Sequence, residues 1–114
     1  LQEAQSKCVI ETIGNGKVMS AGTLILAGGT KGHRKIHKNC RVMLHQVSAG
    51  AIGPLFNIAS EVEELQQLQD KYIKCLVSCT NLSKRKLKSL LNERVNVYLT
   101  AEEAVEYGLA DEII

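Results

Sequence analysis

The stretch VMSAGTLILAGG, residues 18–29, decides how this chain is read. A β-type run passes through a single serine into small and aliphatic residues that end in two glycines. The run from Ser20 onward predicts a short buried helix, with Ser20 at the junction between strand and helix. A serine there is ordinarily a cap, its hydroxyl accepting a hydrogen bond from an orphan N–H of the first turn. The same position also suits a nucleophile, so the residues around it have to discriminate.

Working outward, KCVIETIG (7–14) is a short β-branched run closed by the loop GNGK. Downstream, TKGHRKIHKN reads as a connection into CRVMLHQ, an apolar strand with His45 at its end, followed by the glycine-spaced SAGAIGP. A lone histidine at a strand end is commonly a hydrogen-bonded core or rim residue. From Pro54 the pattern changes to a long amphipathic helix. Leu55, Ile58, Val62, Leu65, Tyr72 and Leu76 recur at steps that keep one face apolar, while Glu61, Glu64, Gln67, Asp70, Lys71 and Lys74 form the wet side. Running to Cys79, such a helix is about 40 Å long at 1.5 Å per residue, more than a domain of this size covers, so it is expected to project toward a partner. A second helix is predicted after Ser83 with Leu87, Leu90 and Leu91 as its apolar side. VNVYL follows as a strand, then Thr100 and Glu103 make a capping box for AEEAVEY, Gly108 stops that helix, and ADEII is a last strand. Strands alternating with helices predict an α/β layered fold in a single domain over residues 1–114.

Composition bounds the function classes. The chain has 114 residues, 45% of them hydrophobic and 23% charged, with a formal net charge of +2. That charge is too mild to imply nucleic acid, and no aromatic residue lies within the basic runs TKGHRKIHK and SKRKLK, which are expected to be solvated surface. No apolar run approaches the roughly 20 residues of a membrane span. Cys8, Cys40, Cys75 and Cys79 show no framework spacing, so reduced thiols in a cytosol are expected, or in an organelle stroma or matrix in a eukaryote. Cys75 and Cys79 lie one helical turn apart without a histidine nearby, and His33 and His37 lack an acidic partner. No metal site is predicted.

The order of these motifs resembles the ClpP family, the proteolytic subunit of the Clp protease. The likeness rests on the S-x-G helix start with its AGG-T-KG-R continuation, the R-V-M-x-H-Q strand end, and the tail L-T-A-E-E-A-V-E-Y-G-L, all in one order over nearly the whole chain. It implies the ClpP/crotonase-like spiral of ββα units with a protruding handle helix, here from Pro54. It also implies that the chain corresponds to the C-terminal part of the family's subunit, lacking the N-terminal part.

Roles follow from the same resemblance. Ser20 matches the nucleophile and His45 the general base, while Asn96, four residues before Thr100, falls where the family usually carries an aspartate. Glu93 is a nearby carboxylate that is an alternative third member. A serine hydroxyl needs an imidazole within hydrogen-bond reach to take its proton, and a third group to hold the imidazole's tautomer. An amide can do the holding without supplying charge. The N–H of Ala21 is placed to stabilise the oxyanion, the second donor coming in the family from a glycine pair upstream. Ser48, Ala49 and Gly50 match the segment that pairs with substrate and with the opposite ring.

The implied activity is that of a serine endopeptidase without a cofactor, degrading unfolded polypeptide inside a chamber of two heptameric rings, homo- or hetero-oligomeric, fed by a AAA+ Clp ATPase. A weak or silent ring subunit is the alternative that Asn96 raises. A crotonase-type acyl-CoA enzyme, which shares the spiral fold, lacks support from any acidic pair at a plausible active site.

Overall fold

Gly16, at a φ of +71°, turns the chain between two three-residue strands, β1 (Thr12–Gly14) and β2 (Lys17–Met19), that do not pair with each other. Strand β1 belongs to one sheet, in the order β1-β3-β6, with β3 at Arg34–Ile36 and β6 at Glu112–Ile113; all its pairings are parallel. Strand β2 belongs to a second sheet, in the order β2-β4-β5, with β4 at Arg41–His45 and β5 at Asn96–Leu99. There β2 and β4 run parallel while β4 and β5 run antiparallel. The computed structural model of the chain describes residues 1–46, 55–93 and 96–114, with side chains for 1–46, 58–92 and 96–114.

Helices complete the units. A one-turn helix, α1 (Gln2–Gln5), precedes β1; α2 (Ala21–Ala27) follows β2, and α3 (Leu55–Cys79) is the helix that follows β4. The sequence β1-β2-α2 is thus repeated as β3-β4-α3, each unit giving one strand to each sheet. Then come α4 (Lys84–Glu93) and, after β5, α5 (Ala101–Glu106). The architecture is α/β, as the alternation of strand and helix signals predicts.

The second sheet carries the core because its strands alternate strictly. Val18, Val42, Leu44, Val97 and Leu99 are buried on one face, while Met19, Asn96 and Tyr98 are exposed and Met43 and His45 half-buried on the other. The buried face meets Leu87 and Leu91 of α4 and Ile73 and Leu76 of α3 in one cluster. Leu26, Ala27, Ala101, Ala104 and Leu109 belong to the same cluster.

Helix α3 has 25 residues, about 37 Å at 1.5 Å per residue, and only its C-terminal part joins the core. Tyr72 and Val77 pack against the cluster that holds Ile73 and Leu76, but Val62 is 59% exposed and Ile58 and Leu65 are half-buried. The apolar stripe is therefore covered at one end and open at the other. Pro54 and the side chain of Leu55 lie outside the described residues. No described helix is long and apolar enough to cross a membrane.

The capping box of α5 is present in full: Thr100 accepts from the Glu103 N–H at 3.1 Å and Glu103 accepts from the Thr100 N–H at 3.2 Å. Gly108 follows at a φ of +79°, and a Cβ there would sit 2.8 Å from the Asn81 backbone nitrogen, so only glycine fits.

One basic run departs from its expected role. TKGHRKIHK contains β3, and Arg34 within it is buried at 3% exposure, not solvated. Its guanidinium pairs with both carboxylate oxygens of Asp111, Nε at 2.9 Å to one and Nη2 at 2.8 Å to the other, and donates through Nη1 to the carbonyls of Ala27 and Cys79. One side chain so ties together β3, the C-terminal ends of α2 and α3, and the segment leading to β6. Arginine takes this place because its planar fork satisfies four acceptors at once.

Candidate active site

Strands β2 and β4 run in one direction with Met19 opposite Met43, so both deliver their next residues to the same edge of the sheet. The ladder continues through Ser20, whose N–H donates to the Met43 carbonyl at 3.0 Å. His45 lies two residues beyond Met43 and shares its face. Residues 25 apart in sequence thereby meet at the carboxyl ends of parallel strands, where α/β sheets present their functional groups. The Ser20 hydroxyl oxygen lies 2.5 Å from His45 Nε2.

The cap reading of Ser20 does not match this geometry. Ser20 occupies the N-cap position of α2, yet its side chain makes no capping hydrogen bond. Its backbone is at φ +54° and ψ −116°, alone among the described non-glycine residues in having a positive φ. This is the conformation glycine takes at the first central position of a type II′ turn, and for serine it costs about 1–3 kcal/mol. A strained residue whose hydroxyl faces an imidazole has the features of a nucleophile elbow rather than of a helix cap.

The tautomer of His45 follows from its other nitrogen. Nδ1 faces the carbonyl oxygen of Gln46, which can only accept, so Nδ1 carries the proton and Nε2 is left as the acceptor for the Ser20 hydroxyl. Gln46 is held in turn by its own amide, which donates to the Leu91 carbonyl of α4 at 2.8 Å. Asn96 stands directly across the antiparallel ladder from His45. Its side chain is exposed, and among the described residues the Nδ1 partner is the Gln46 carbonyl and not the Asn96 amide. The side chain of Glu93, and all of Ser48, Ala49 and Gly50, lie outside the described residues.

Ala21 is the first residue of α2, so its N–H has no acceptor within the helix and sits beside the Ser20 hydroxyl at the positive end of the helix dipole. Beside Gln46 a cavity of about 370 Å³ opens between α3 and α4, lined also by Leu65, Ile73, Lys88 and Asn92 among others.

Two further side chains reach the site. Thr23 is completely buried and donates its hydroxyl proton to the Ser20 carbonyl, and the Tyr72 hydroxyl lies 2.9 Å from that of Thr23. Tyr72 reads in the sequence as one member of an apolar stripe, and Thr23 as an ordinary helix residue. The only signals are a threonine three places after the serine and a phenol among aliphatic neighbours. Burial pushes the Tyr72 phenol above its ordinary pKa, with the Thr23 hydrogen bond acting the other way, so it remains a proton donor. The cysteines are free thiols, and among the described residues no cluster of three or more metal-ligating side chains occurs.

Comparison with known proteins completes the picture. The family model described as Clp protease matches residues 3–114. The chain is 35% identical over 107 residues to the ATP-dependent Clp protease proteolytic subunit 2 of Chlamydia trachomatis serovar D, covering 94% of this chain and 52% of that protein. It is 36% identical over 110 residues to the protein of the same description from Corynebacterium diphtheriae, covering 96% and 54%. With the ATP-dependent Clp protease proteolytic subunit of Deinococcus radiodurans it shares 34% over 108 residues, covering 95% and 52%. The chain thus spans about half the length of the curated relatives it matches.

Proposed function

The chain belongs to the Clp protease family, whose ClpP/crotonase-like fold its repeated ββα units follow, and from that premise we propose that it carries the Ser–His centre of a serine endopeptidase. The observation that carries the proposal is the 2.5 Å contact between a strained Ser20 and a His45 whose tautomer leaves Nε2 free to accept.

In this reading Ser20 attacks a peptide carbonyl while His45 Nε2 takes its proton and later returns it to the leaving amine. The Ala21 N–H is one donor to the oxyanion. The Gln46 carbonyl supplies the tautomer-holding part of the third member's task, and Asn96, beside the ring, supplies polarity without charge. Residues Ser48, Ala49 and Gly50 hold the substrate as an added strand, and the cavity bordered by Gln46 and Leu65 takes a side chain next to the cleaved bond. The substrate is unfolded polypeptide delivered by a AAA+ Clp ATPase. The open stretch of α3 is the surface through which two heptameric rings meet to close the chamber, because its Val62 and Leu68 are left exposed by the chain itself.

A serine-reactive fluorophosphonate tests the nucleophile. In the assembled protein it should label Ser20 and no other serine, and mass spectrometry of the digested adduct reads the position. Labelling elsewhere, or none in an assembly that cleaves peptides, rejects the assignment; an assembly that neither labels nor cleaves is the silent ring subunit.

Asn96→Asp tests the third member. With the tautomer already fixed by Gln46, the new carboxylate adds charge stabilisation of the imidazolium, and turnover should rise at least about tenfold, equal to roughly 1.4 kcal/mol. If Asn96→Asp changes nothing while Glu93→Gln removes most of the activity, Glu93 holds the role. If neither variant alters turnover, with assembly verified for both, neither residue is the third member.

A further inference from the structure

Ser20 does not hold its conformation by local preference, since a φ of +54° with a ψ of −116° is open to glycine and unfavourable for serine. Contacts must pin it from both sides. On one side its N–H is bound to the Met43 carbonyl at 3.0 Å. On the other its carbonyl oxygen accepts from the Thr23 N–H at 3.1 Å and from the Thr23 hydroxyl at 2.5 Å, with the Tyr72 hydroxyl oxygen 3.4 Å away.

The hydroxyls form a chain with one consistent polarity. Thr23 spends its single proton on the Ser20 carbonyl, which leaves its lone pairs for the proton of Tyr72, 2.9 Å away. Thr23 is buried at 0% exposure, so water does not replace it. Tyr72 comes from α3, 52 residues along the chain. Rotation about φ of Ser20 moves its side chain and its carbonyl together, because both hang from the same Cα while the N–H is fixed. Relaxing the backbone would therefore take the carbonyl off Thr23, which Tyr72 supports, and the hydroxyl off His45 in one motion.

We propose that Thr23 and Tyr72 are a positioning pair, a two-hydroxyl relay from the long helix that locks the Ser20 peptide so that its hydroxyl stays on His45 Nε2. Rotation of Ser20 out of line, and with it the loss of reactivity, then depends on how α3 is seated. The proposal rests on the reading of Ser20 as nucleophile, and its test uses one readout that does not require activity.

Tyr72→Phe removes the outer hydroxyl and keeps the ring. In the assembled protein it should lower kcat and the phosphonate labelling rate of Ser20 about three- to tenfold, with KM within twofold. Thr23→Val should lower both by about tenfold or more, Thr23→Ser should stay within twofold of the parent, and the double variant Thr23→Val, Tyr72→Phe should be no worse than Thr23→Val alone. In ¹⁵N-histidine NMR the His45 Nε2 resonance of Tyr72→Phe should move toward that of Ser20→Ala, melting temperatures being measured alongside. Normal kcat, normal labelling and an unmoved Nε2 resonance in Tyr72→Phe overturn the proposal, even where the melting temperature falls, since the pair would then serve packing alone. If the parent neither labels nor cleaves, a moved resonance upholds the positioning pair while the nucleophile reading fails, and an unmoved one overturns the pair as well.

Discussion

Ser20→Gly should be more stable than Ser20→Ala, although both lose turnover by on the order of 10⁴-fold or more. Each variant lacks the hydroxyl and with it the 2.5 Å contact to His45, so the comparison isolates the backbone. At an ordinary N-cap glycine is already preferred to alanine, even though it loses more conformational freedom on folding. Here the φ of +54° and ψ of −116° widen that preference, since alanine keeps the Cβ clash that glycine avoids. The strain of about 1–3 kcal/mol less the entropic cost of about 0.5–1 kcal/mol leaves glycine ahead by about 1 kcal/mol. Chemical denaturation of both variants reads the difference, and peptide turnover reads the common loss. Alanine more stable than glycine would mean that Ser20 is not strained. Turnover retained in either variant would remove Ser20 from the chemistry. His45→Ala should match them in turnover, because a nucleophile and its base act as one unit.

The second large effect is acid lability centred on Asp111. Its paired hydrogen bonds from the Arg34 guanidinium, helped by the backbone N–H groups of Gly32 and Arg34, hold its pKa down to about 2, against the opposing influence of burial. A carboxyl whose folded pKa lies below its unfolded value stabilises the fold above the unfolded value, near 3.8, and that contribution is lost as pH falls from there toward 2. The urea midpoint should accordingly fall over that window in the parent, and less steeply in Asp111→Ala. At neutral pH the variant should be destabilised by about 3 kcal/mol, because it leaves Arg34, at 3% exposure, a buried charge without its counterion. An Asp111→Ala midpoint equal to that of the parent at pH 7 would show that the backbone carbonyls of Ala27 and Cys79 alone suffice for the guanidinium.

Several elements were legible because their causes are local. The apolar spacing from Leu55 to Leu76 specifies a helix whatever it packs against, and α3 occupies Leu55–Cys79. The predicted second helix is α4, and VNVYL contains β5. Thr100, Glu103 and Gly108 write both ends of α5 into eight or nine residues, and a capping box is satisfied within its own turn. Strand β3 was not legible: Arg34 and Lys35 within a run of lysines and histidines carry no period-two apolar signal, and the strand exists because Thr12 and Glu112 partner its residues from either side. Arg34 reads as solvated for the same reason, its acceptors lying 7, 45 and 77 residues away.

The site divides along the same line. The residues themselves determine that a serine opens α2 and that a histidine closes β4, because strand ends and helix starts are set by neighbours a few positions apart. They do not determine that the two touch, which requires β2 and β4 to lie parallel with Met19 against Met43, a register fixed by the burial of Val18, Val42 and Leu44 under α3 and α4. Nor do they determine the backbone of Ser20, since a strained conformation is by definition one that local preference rejects. It exists only where the Met43 carbonyl and Thr23, itself supported by the phenol of Tyr72, hold it from separate elements, and although Thr23 is three positions away, Met43 and Tyr72 lie 23 and 52 positions from Ser20 and leave no periodic trace in a sequence. Local chemistry chose the elements, and tertiary packing chose which hydroxyl faces which imidazole.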